Sequence, residues 1–446
     1  MKVLLAVHLF FPAHRAGTEV LTLELARSLR AKGHEVSIVT CVRHDHLASL
    51  RHPWVSQEVY DSFDVYQLNF GLKGVRDSIG THINAGDRVQ LLLDLVATLS
   101  PDLVHFTHIN GFSSAAIAAI RKIRIPVFFS ATDYWAICPK TNLIRTGSEE
   151  LCLGPKQPAD CVRCYQPRLP ALVAQIALKV MRPQFGALSK KAASLYSLKI
   201  RGSAMAENVN CSNKIFVSTS FLARLLAEYG VERHLIRVVP YGVRLGNMPE
   251  RIGVPASFNA IRPLRVAFIG SFTRIKGAHV LLEALGLLTN SQLENLAVYV
   301  YGSGNSGEPE YADRLKQLAS HANNAVTFMG TFPHENIGEI IRSMHMVVVP
   351  SIWYESAPLV LCSALAAGVP VLVSRLGGMT EIVKEGVEGF SFAAGSTTQL
   401  AALITRLLGT PEWFRELLTR PESKFRTPDD YADDIELEYL RVAGSE

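Results

Sequence analysis

The sequence predicts an α/β protein of two doubly wound parallel-sheet domains, and three observations carry that prediction. Short apolar runs alternate with amphipathic segments of helical length in both halves of the chain. A stretch without clear periodicity separates the halves. Glycine-rich or polar loops recur directly after the apolar runs, which is where open α/β sheets bind ligands. With 446 residues, 48% apolar and 19% charged, the chain exceeds one ordinary core and has the composition of a globular protein.

In the first half the strand candidates are Lys2–Val7, Glu35–Thr40, Leu103–Phe106, Val127–Ser130, Lys214–Ser218 and Ile236–Val239. The first helix starts near Thr18, places Val20, Leu23, Ala26 and Leu29 on one side, and ends at Gly33. In the second half the strands are Leu264–Ile269, Leu296–Tyr301, Val326–Met329, Met346–Val349 and Val371–Ser374, with helices at Ala278–Leu288, Glu310–His321, Glu335–Arg342 and Leu359–Ala367. From Leu245 to Pro263 the chain is rich in Gly, Pro and polar residues, so a linker is expected at 244–262. The expected organisation is a first domain at 1–243, a second at 263–420, and a terminal segment at 421–446. That segment breaks at Pro421–Pro428 and then places Tyr431, Ile435, Tyr439 and Val442 at helical spacing, a helix expected to return to the first domain. Two such domains are expected to face a shared cleft with their strand ends.

The net charge of +5 is mild and does not indicate nucleic acid by itself. The basic run lacks the aromatic interleaving of single-strand binders, so no nucleic-acid partner is expected. From Lys156 to Arg201, nine Lys or Arg stand against one acid, Asp160. Residues 168–201 mix apolar and basic positions at roughly helical spacing. They read either as a solvated helix pair covering the first sheet or as a face for a peripheral membrane contact or a lipid acceptor. No stretch reaches the roughly 18 apolar residues needed to span a bilayer. The apolar N-terminus carries His8 and runs into Pro12-Ala13-His14-Arg15, so a first buried strand is expected rather than a signal peptide. The expected location is cytoplasmic, with the inner face of the membrane as a peripheral site.

Three blocks carry chemistry. The first runs from Pro350 to Val373: a strand ends at Pro350, a loop carries Glu355, Ser356 and Ala357, and a helix opens at Pro358. The N–H groups of Leu359 and Val360 have no helical partners and can take a phosphate with help from the helix dipole. Glu355 can accept hydrogen bonds from sugar hydroxyls. The second block, Gly270-Ser271-Phe272-Thr273-Arg274-Ile275-Lys276-Gly277, lies between a strand and a helix and suits a diphosphate, with Lys as a point charge and Arg as a forked donor. The third, Phe11 to Glu19, follows the first strand, and Gly17 allows close approach to the backbone. Gly302-Ser303-Gly304 and Gly330-Thr331-Phe332 follow further strands. They read as ordinary turns or as nucleotide contacts, with Phe332 placed to stack on a base. His108 ends a strand and Asp133 follows one; each reads as a cleft residue for sugar or acceptor, or as a satisfied structural group.

Together these residues resemble glycosyltransferase family 4. The resemblance rests on Gly270…Lys276-Gly277, Gly302-Ser303-Gly304, Gly330, Pro350-Ser351…Glu355…Gly368-Val369-Pro370-Val371, Gly377-Gly378…Glu381, the loop Ala16-Gly17-Thr18-Glu19 and Asp133-Tyr134-Trp135. It spans nearly the whole chain and is more specific in the second half. It implies a GT-B fold and an enzyme that moves a sugar from a nucleoside-diphosphate donor to a saccharide or lipid-linked acceptor. Transfer would retain anomeric configuration, use no catalytic metal and require no cofactor; no Asp-x-Asp occurs in the chain. By resemblance, Lys276 with Arg274 stabilises the leaving diphosphate and Glu355 contacts the donor sugar; with His108 and Asp133, read from their places after strands, these are the expected catalytic residues. Gly17, Ser271, Gly302, Ser303, Gly304, Phe332, Ser356, Ala357, Leu359, Val360 and Ser363 are the expected donor-binding set. The chain departs from the pattern at Ser363, where a second Glu is usual, at Pro358 and Ser271 in place of Gly and Arg, and at Thr132 in place of His. These departures keep two alternatives in view: a non-catalytic nucleotide-sugar-binding protein, and a GT-B epimerase or hydrolase.

Of the seven cysteines, Cys138, Cys152, Cys161 and Cys164 cluster in sequence. The closing Cys-x-x-Cys suits a zinc knuckle, so a structural zinc is expected as one reading, against a loop disulfide or free thiols.

Overall fold

The computed structural model describes residues 1–44, 53–71, 77–146, 150–155, 157–182, 189–304, 309–322, 324–419 and 425–444. Lys156, where the basic run begins, and 421–424, where the terminal break begins, lie outside the described residues. The chain forms two compact units, Met1–Pro240 with Asp429–Glu446, and Tyr241–Pro428.

The first unit is built on eight strands: β1 (Lys2–Val7), β2 (Glu35–Arg43), β3 (Trp54–Tyr60), β4 (Phe63–Phe70), β5 (Leu103–Phe106), β6 (Val127–Ala131), β7 (Lys214–Val217) and β8 (Ile236–Val238). Their order is β3-β4-β2-β1-β5-β6-β7-β8. Strands β1, β5 and β6 are almost wholly buried, which explains their largely apolar sequence. The sheet is parallel except at its edge, where β3 runs antiparallel to β4. This hairpin escapes a search for apolar runs because no residue of β3 is buried and Asp64, Gln67 and Asn69 interrupt β4. Its two-residue turn, Asp61-Ser62, holds both residues at positive φ, the twist that tight hairpins need, without a glycine to announce it.

The last helix, Pro428–Ala443, packs on this first sheet through Tyr431, Ile435 and Tyr439, all buried. Arg237 on β8 pairs with Asp434 at 2.8 Å and also with Glu438. His34 Nε2 lies 2.7 Å from Glu436. His105 on β5 is bonded through Nδ1 to the Tyr439 hydroxyl and through Nε2 to Ser130 Oγ at 2.8 Å. Burial pushes this imidazole down to about 3, so it is a neutral structural residue.

The second unit carries β9 (Leu264–Ile269), β10 (Leu296–Tyr301), β11 (Val326–Gly330), β12 (Met346–Val349), β13 (Val371–Ser374) and β14 (Gly389–Phe392), all parallel, in the order β11-β10-β9-β12-β13-β14. The segment expected as a linker is part of this unit's core. Leu245 and Phe258 are buried in its apolar clusters, and Val243 N–H bonds to the Arg426 carbonyl at 3.0 Å. Isolated apolar residues without periodicity give no strand or helix signal, yet they bury well under a loop. Among the described residues no helix is long and apolar enough to cross a membrane.

Candidate functional site

In each sheet the strand order reverses direction at one point, between β9 and β12 in the second unit and between β1 and β5 in the first. Loops leaving a parallel sheet on the two sides of such a point diverge, and the crevice between them binds ligands. Lys276 and Glu355 in the second unit, and His108 in the first, follow strands that border these points.

In the second unit, the loop after β9 carries Lys276 on a single 3-10 turn, Arg274–Lys276, and the loop after β12 carries Glu355. Lys276 Nζ donates to Glu355 Oε1 at 2.7 Å. The same oxygen accepts from Ser351 Oγ at 2.8 Å and from Trp353 Nε1 at 2.9 Å. The Lys276 ammonium also stands 5.4 Å from the centre of the Trp353 ring. Glu355 is 5% exposed, so three donors from two loops define its orientation. A lysine has three N–H donors, and the bond to Glu355 uses one.

Backbone contacts clamp the two loops together. Ile352 N–H bonds to the Ile275 carbonyl at 2.9 Å. Gly277 holds φ +75°, and a Cβ there would lie 1.9 Å from the Pro350 carbonyl oxygen, so only glycine fits. Beyond this clamp, Pro358 precedes the helix Leu359–Ala366, and no side chain caps its first turn. The N–H groups of Leu359 and Val360 lie in this first turn, where no helical carbonyl can accept them. Ser356 and Ala357 are buried at the approach. Ser363 sits in the second turn of the same helix, 2% exposed. Ser271 and Arg274 are exposed on the β9 loop.

The glycines at neighbouring strand ends meet in register. Gly270 N–H bonds to the Tyr301 carbonyl, Gly302 N–H to the Gly330 carbonyl at 2.8 Å, and Phe272 N–H to the Ser303 carbonyl. A Cβ on Gly302 would lie 2.0 Å from the Gly270 oxygen. Gly304 closes against Ala312. Phe332 packs edge-on against Tyr301 at 5.5 Å between ring centres and is half-buried on the core.

In the first unit, His8 follows β1, His108 follows β5 and Asp133 follows β6. Asn110 N–H donates to His108 Nδ1 at 3.0 Å, so the ring proton is on Nε2, which donates to Asp133 Oδ2 at 2.9 Å. Trp135 N–H donates to the other oxygen, Oδ1, at 2.8 Å. Burial tends to raise the Asp133 carboxyl, but His108 and the N–H of Trp135 outweigh it and hold the group below its ordinary value. The ring of His8 lies 4.0 Å from that of His108, and its Nε2 is 3.8 Å from Glu19. Burial, reinforced by His108, pushes His8 down to about 2, while burial raises Glu19. Gly17 opens the helix Gly17–Ala31 and is exposed, one turn from this cluster. Thr18 Oγ1 ties the helix start to Thr132 Oγ1 at 3.1 Å.

His8, Glu19, Ser351 and Trp353 are not among the expected site residues. His8 ends β1 as His108 ends β5, and that position was the available signal. Glu19 and Ser351 lie inside motifs that carry the family resemblance, whereas Trp353 needed the fold, since its relevance lies in what it touches.

The zinc expectation is corrected. Cys138, Cys152, Cys161 and Cys164 line one pocket, but all four are free thiols, and no three His, Cys, Asp or Glu among the described residues form a group that could hold a metal ion. Cys164 Sγ is engaged by the Thr146 hydroxyl at 3.3 Å, and Cys152 donates to the Gly154 carbonyl at 3.4 Å. Burial pushes Cys161 up to about 12 and raises Cys138, so both are neutral thiols in the metal-free chain.

Residues 16–242 match the family described as glycosyl transferase 4-like domain, and residues 258–421 match glycosyl transferases group 1. The chain belongs to the group 1 glycosyltransferases of family 4. Among relatives of this family, a D-inositol 3-phosphate glycosyltransferase of Nocardia farcinica is 31% identical over 215 residues, covering 46% of this chain and 47% of that protein. The match therefore spans about half the length of that relative. An uncharacterized 42.6 kDa protein in the cps region of Klebsiella pneumoniae is 23% identical over 86% of this chain and 87% of its own. The fold is also that of solved GT-B glycosyltransferases. Sucrose-phosphate synthase from Thermosynechococcus elongatus superimposes with a TM-score of 0.66 at 17% identity, covering 100% of each chain. Anabaena Alr3699/HepE in complex with UDP-glucose superimposes with 0.64 at 13% identity, covering 99% of this chain and 100% of that one.

Proposed function

We propose that this family 4 protein transfers a sugar from a nucleoside-diphosphate donor to a saccharide or lipid-linked acceptor, retaining anomeric configuration and using no catalytic metal. The bond between Lys276 and Glu355 carries this reading. It places a cation with two further N–H donors and an oriented carboxylate together at the strand-order reversal, which suits a diphosphate and its sugar. In this reading Lys276 and Arg274 take up the charge that develops on the leaving diphosphate, and the N–H groups of Leu359 and Val360 bind its oxygens. Glu355 accepts hydrogen bonds from the sugar hydroxyls. The acceptor hydroxyl bonds to the anomeric carbon as the bond to the phosphate oxygen breaks, and its proton passes to the departing diphosphate. His108, held by Asn110 and Asp133, orients the sugar or the acceptor. Ser363 lies toward the ribose, while Gly302, Ser303, Gly304 and Phe332 border the nucleotide.

The complex of the Anabaena neighbour with UDP-glucose makes that sugar nucleotide the first donor to test. The assay incubates the purified chain with UDP-, GDP- and ADP-sugars and a panel of saccharide and lipid-linked acceptors, and reads the product by mass spectrometry and anomeric NMR. Expected is an acceptor one sugar heavier, with the donor's anomeric configuration. Inversion of that configuration contradicts the mechanism. Free sugar or an epimerised donor as the only product replaces transfer with hydrolysis or epimerisation. Donor binding without any product leaves a binding protein.

A further inference from the structure

The helix Ala171–Val180 buries only a narrow stripe. Ala174 and Leu178 enter a small apolar cluster with Ile79, Val162 and Leu198. The opposite side is turned outward, with Leu172 67%, Val173 47%, Ile176 52% and Val180 59% exposed. At 3.6 residues per turn these four share one continuous face, since they lie within about a third of the helix circumference. An aliphatic face of this kind in water has an unfavourable hydration free energy and marks an interaction surface.

Charge indicates what covers it. Between Cys161 and Ala206 the chain has eight Lys or Arg and no Asp or Glu. Six of them are exposed: Arg163 and Arg168 before the helix, Lys179 within it, and Arg182, Lys190 and Lys191 after it. The two remaining cations serve the fold: Lys199 donates to the Met181 carbonyl at 3.1 Å, and Arg201 is buried under the Trp135 and Ile137 carbonyls. The exposed cations thus flank the aliphatic face in sequence, and no nearby acid in this segment neutralises them.

We propose that the outer face of the helix Ala171–Val180, with its flanking cations, is a docking surface for an anionic lipid bilayer. The helix face itself is aliphatic, with Gln175 beside it, and carries none of the aromatic side chains that anchor protein interfaces. A short amphipathic helix lying in the headgroup plane needs just this combination: apolar side chains that enter the acyl boundary and basic groups that meet lipid phosphates. The inference is independent of the transfer chemistry, because none of these residues belongs to the candidate site.

The test is flotation of the purified full chain with two sets of vesicles, one of phosphatidylcholine alone and one of phosphatidylcholine with phosphatidylglycerol. Wild type is expected to float with the anionic vesicles only, and less as salt is raised. The double variant Leu172→Gln/Ile176→Gln is expected to lose roughly tenfold or more in partitioning, and Arg168→Gln/Lys179→Gln/Arg182→Gln to lose the preference for anionic vesicles. Because all these side chains are exposed, thermal melts should match wild type. Equal binding to both vesicle types, no binding to either, or unchanged flotation of the aliphatic variant overturns the proposal. A wild-type dimer in light scattering that Leu172→Gln/Ile176→Gln converts to monomer, without vesicle binding, gives the face to a second copy and overturns it as well.

Discussion

Lys276 and Glu355, on loops that follow different strands of the second unit, are joined by a 2.7 Å hydrogen bond whose acceptor oxygen also receives Ser351 and Trp353. The pair is partly open on the lysine side and closed on the carboxylate side, with side-chain exposures of 31% and 7%. An approaching anion can therefore reach the ammonium, while the carboxylate stays oriented by its two other donors.

Replacing either partner should affect turnover far more than folding. Lys276→Ala is expected to lower kcat by about 100- to 1,000-fold, the range for removing one donor to developing charge, and Glu355→Gln to lower kcat by weakening the hold on the sugar hydroxyls and on Lys276. In Lys276→Ala the buried carboxylate keeps its bonds from Ser351 and Trp353, which limits the loss of stability. Steady-state kinetics and thermal melts on the same preparations check this; wild-type turnover in either variant would remove the pair from the mechanism.

A nucleoside diphosphate should stabilise the wild-type chain. A ligand bound only by the folded state at about 100 times its Kd adds about 2.7 kcal/mol. A thermal-shift panel of UDP, GDP, ADP and CDP should give a response to one base, much reduced in Lys276→Ala. If every diphosphate leaves the melt of a folded sample unmoved, the donor-site assignment fails.

Gly277→Ala should unfasten the clamp between the two loops. The glycine is at φ +75° with the Pro350 carbonyl 1.9 Å from where a Cβ would stand. Strain of this kind costs about 1–3 kcal/mol, and relaxing it moves Lys276. The variant should melt earlier in urea and lose turnover together; a variant with wild-type stability and activity would contradict the geometry.

Tyr439→Phe should loosen the last helix. The hydroxyl is the partner of His105 Nδ1 in a buried setting. Leaving a buried polar atom unpaired costs about 1–3 kcal/mol. Urea titration gives the loss directly, and an unchanged midpoint with an unchanged m-value would show that the bond contributes nothing.

Acid should destabilise the fold from slightly acidic pH downward. Burial lowers His8 from 6.5 to about 2, and His82 and His105 from 6.5 to about 3. Below pH 6.5 the unfolded chain takes up protons that these folded imidazoles refuse. Each histidine then removes about 1.4 kcal/mol per pH unit until its folded value is reached. Glu19, raised by burial, works in the opposite direction, but it is one group against three. Unfolding free energies measured at pH 7, 6 and 5 should therefore fall; a flat or rising series would show that these histidines are protonated in the fold.

The sequence by itself determined the alternation of buried strands and helices, because the central parallel strands of each sheet, such as β1, β9, β12 and β13, are buried on both faces and read as apolar runs. It also located Lys276, Glu355 and the glycines at strand ends, since loops at a sheet's carboxyl edge are local to the strands that precede them. What it left open depends on which distant segments meet. The edge strand β3 has no buried face to signal it, and the supposed linker joins a core through isolated apolar residues such as Leu245, Val254 and Phe258. The neighbours of His108, namely His8 and Glu19, come from another strand end and another helix. Four cysteines close in sequence do not form a metal-binding group, because loop geometry and competing hydrogen bonds direct their sulfurs. Periodicity is a property of short stretches of chain, whereas partners, burial and proton affinity are set by long-range packing, and only the tertiary structure decides those.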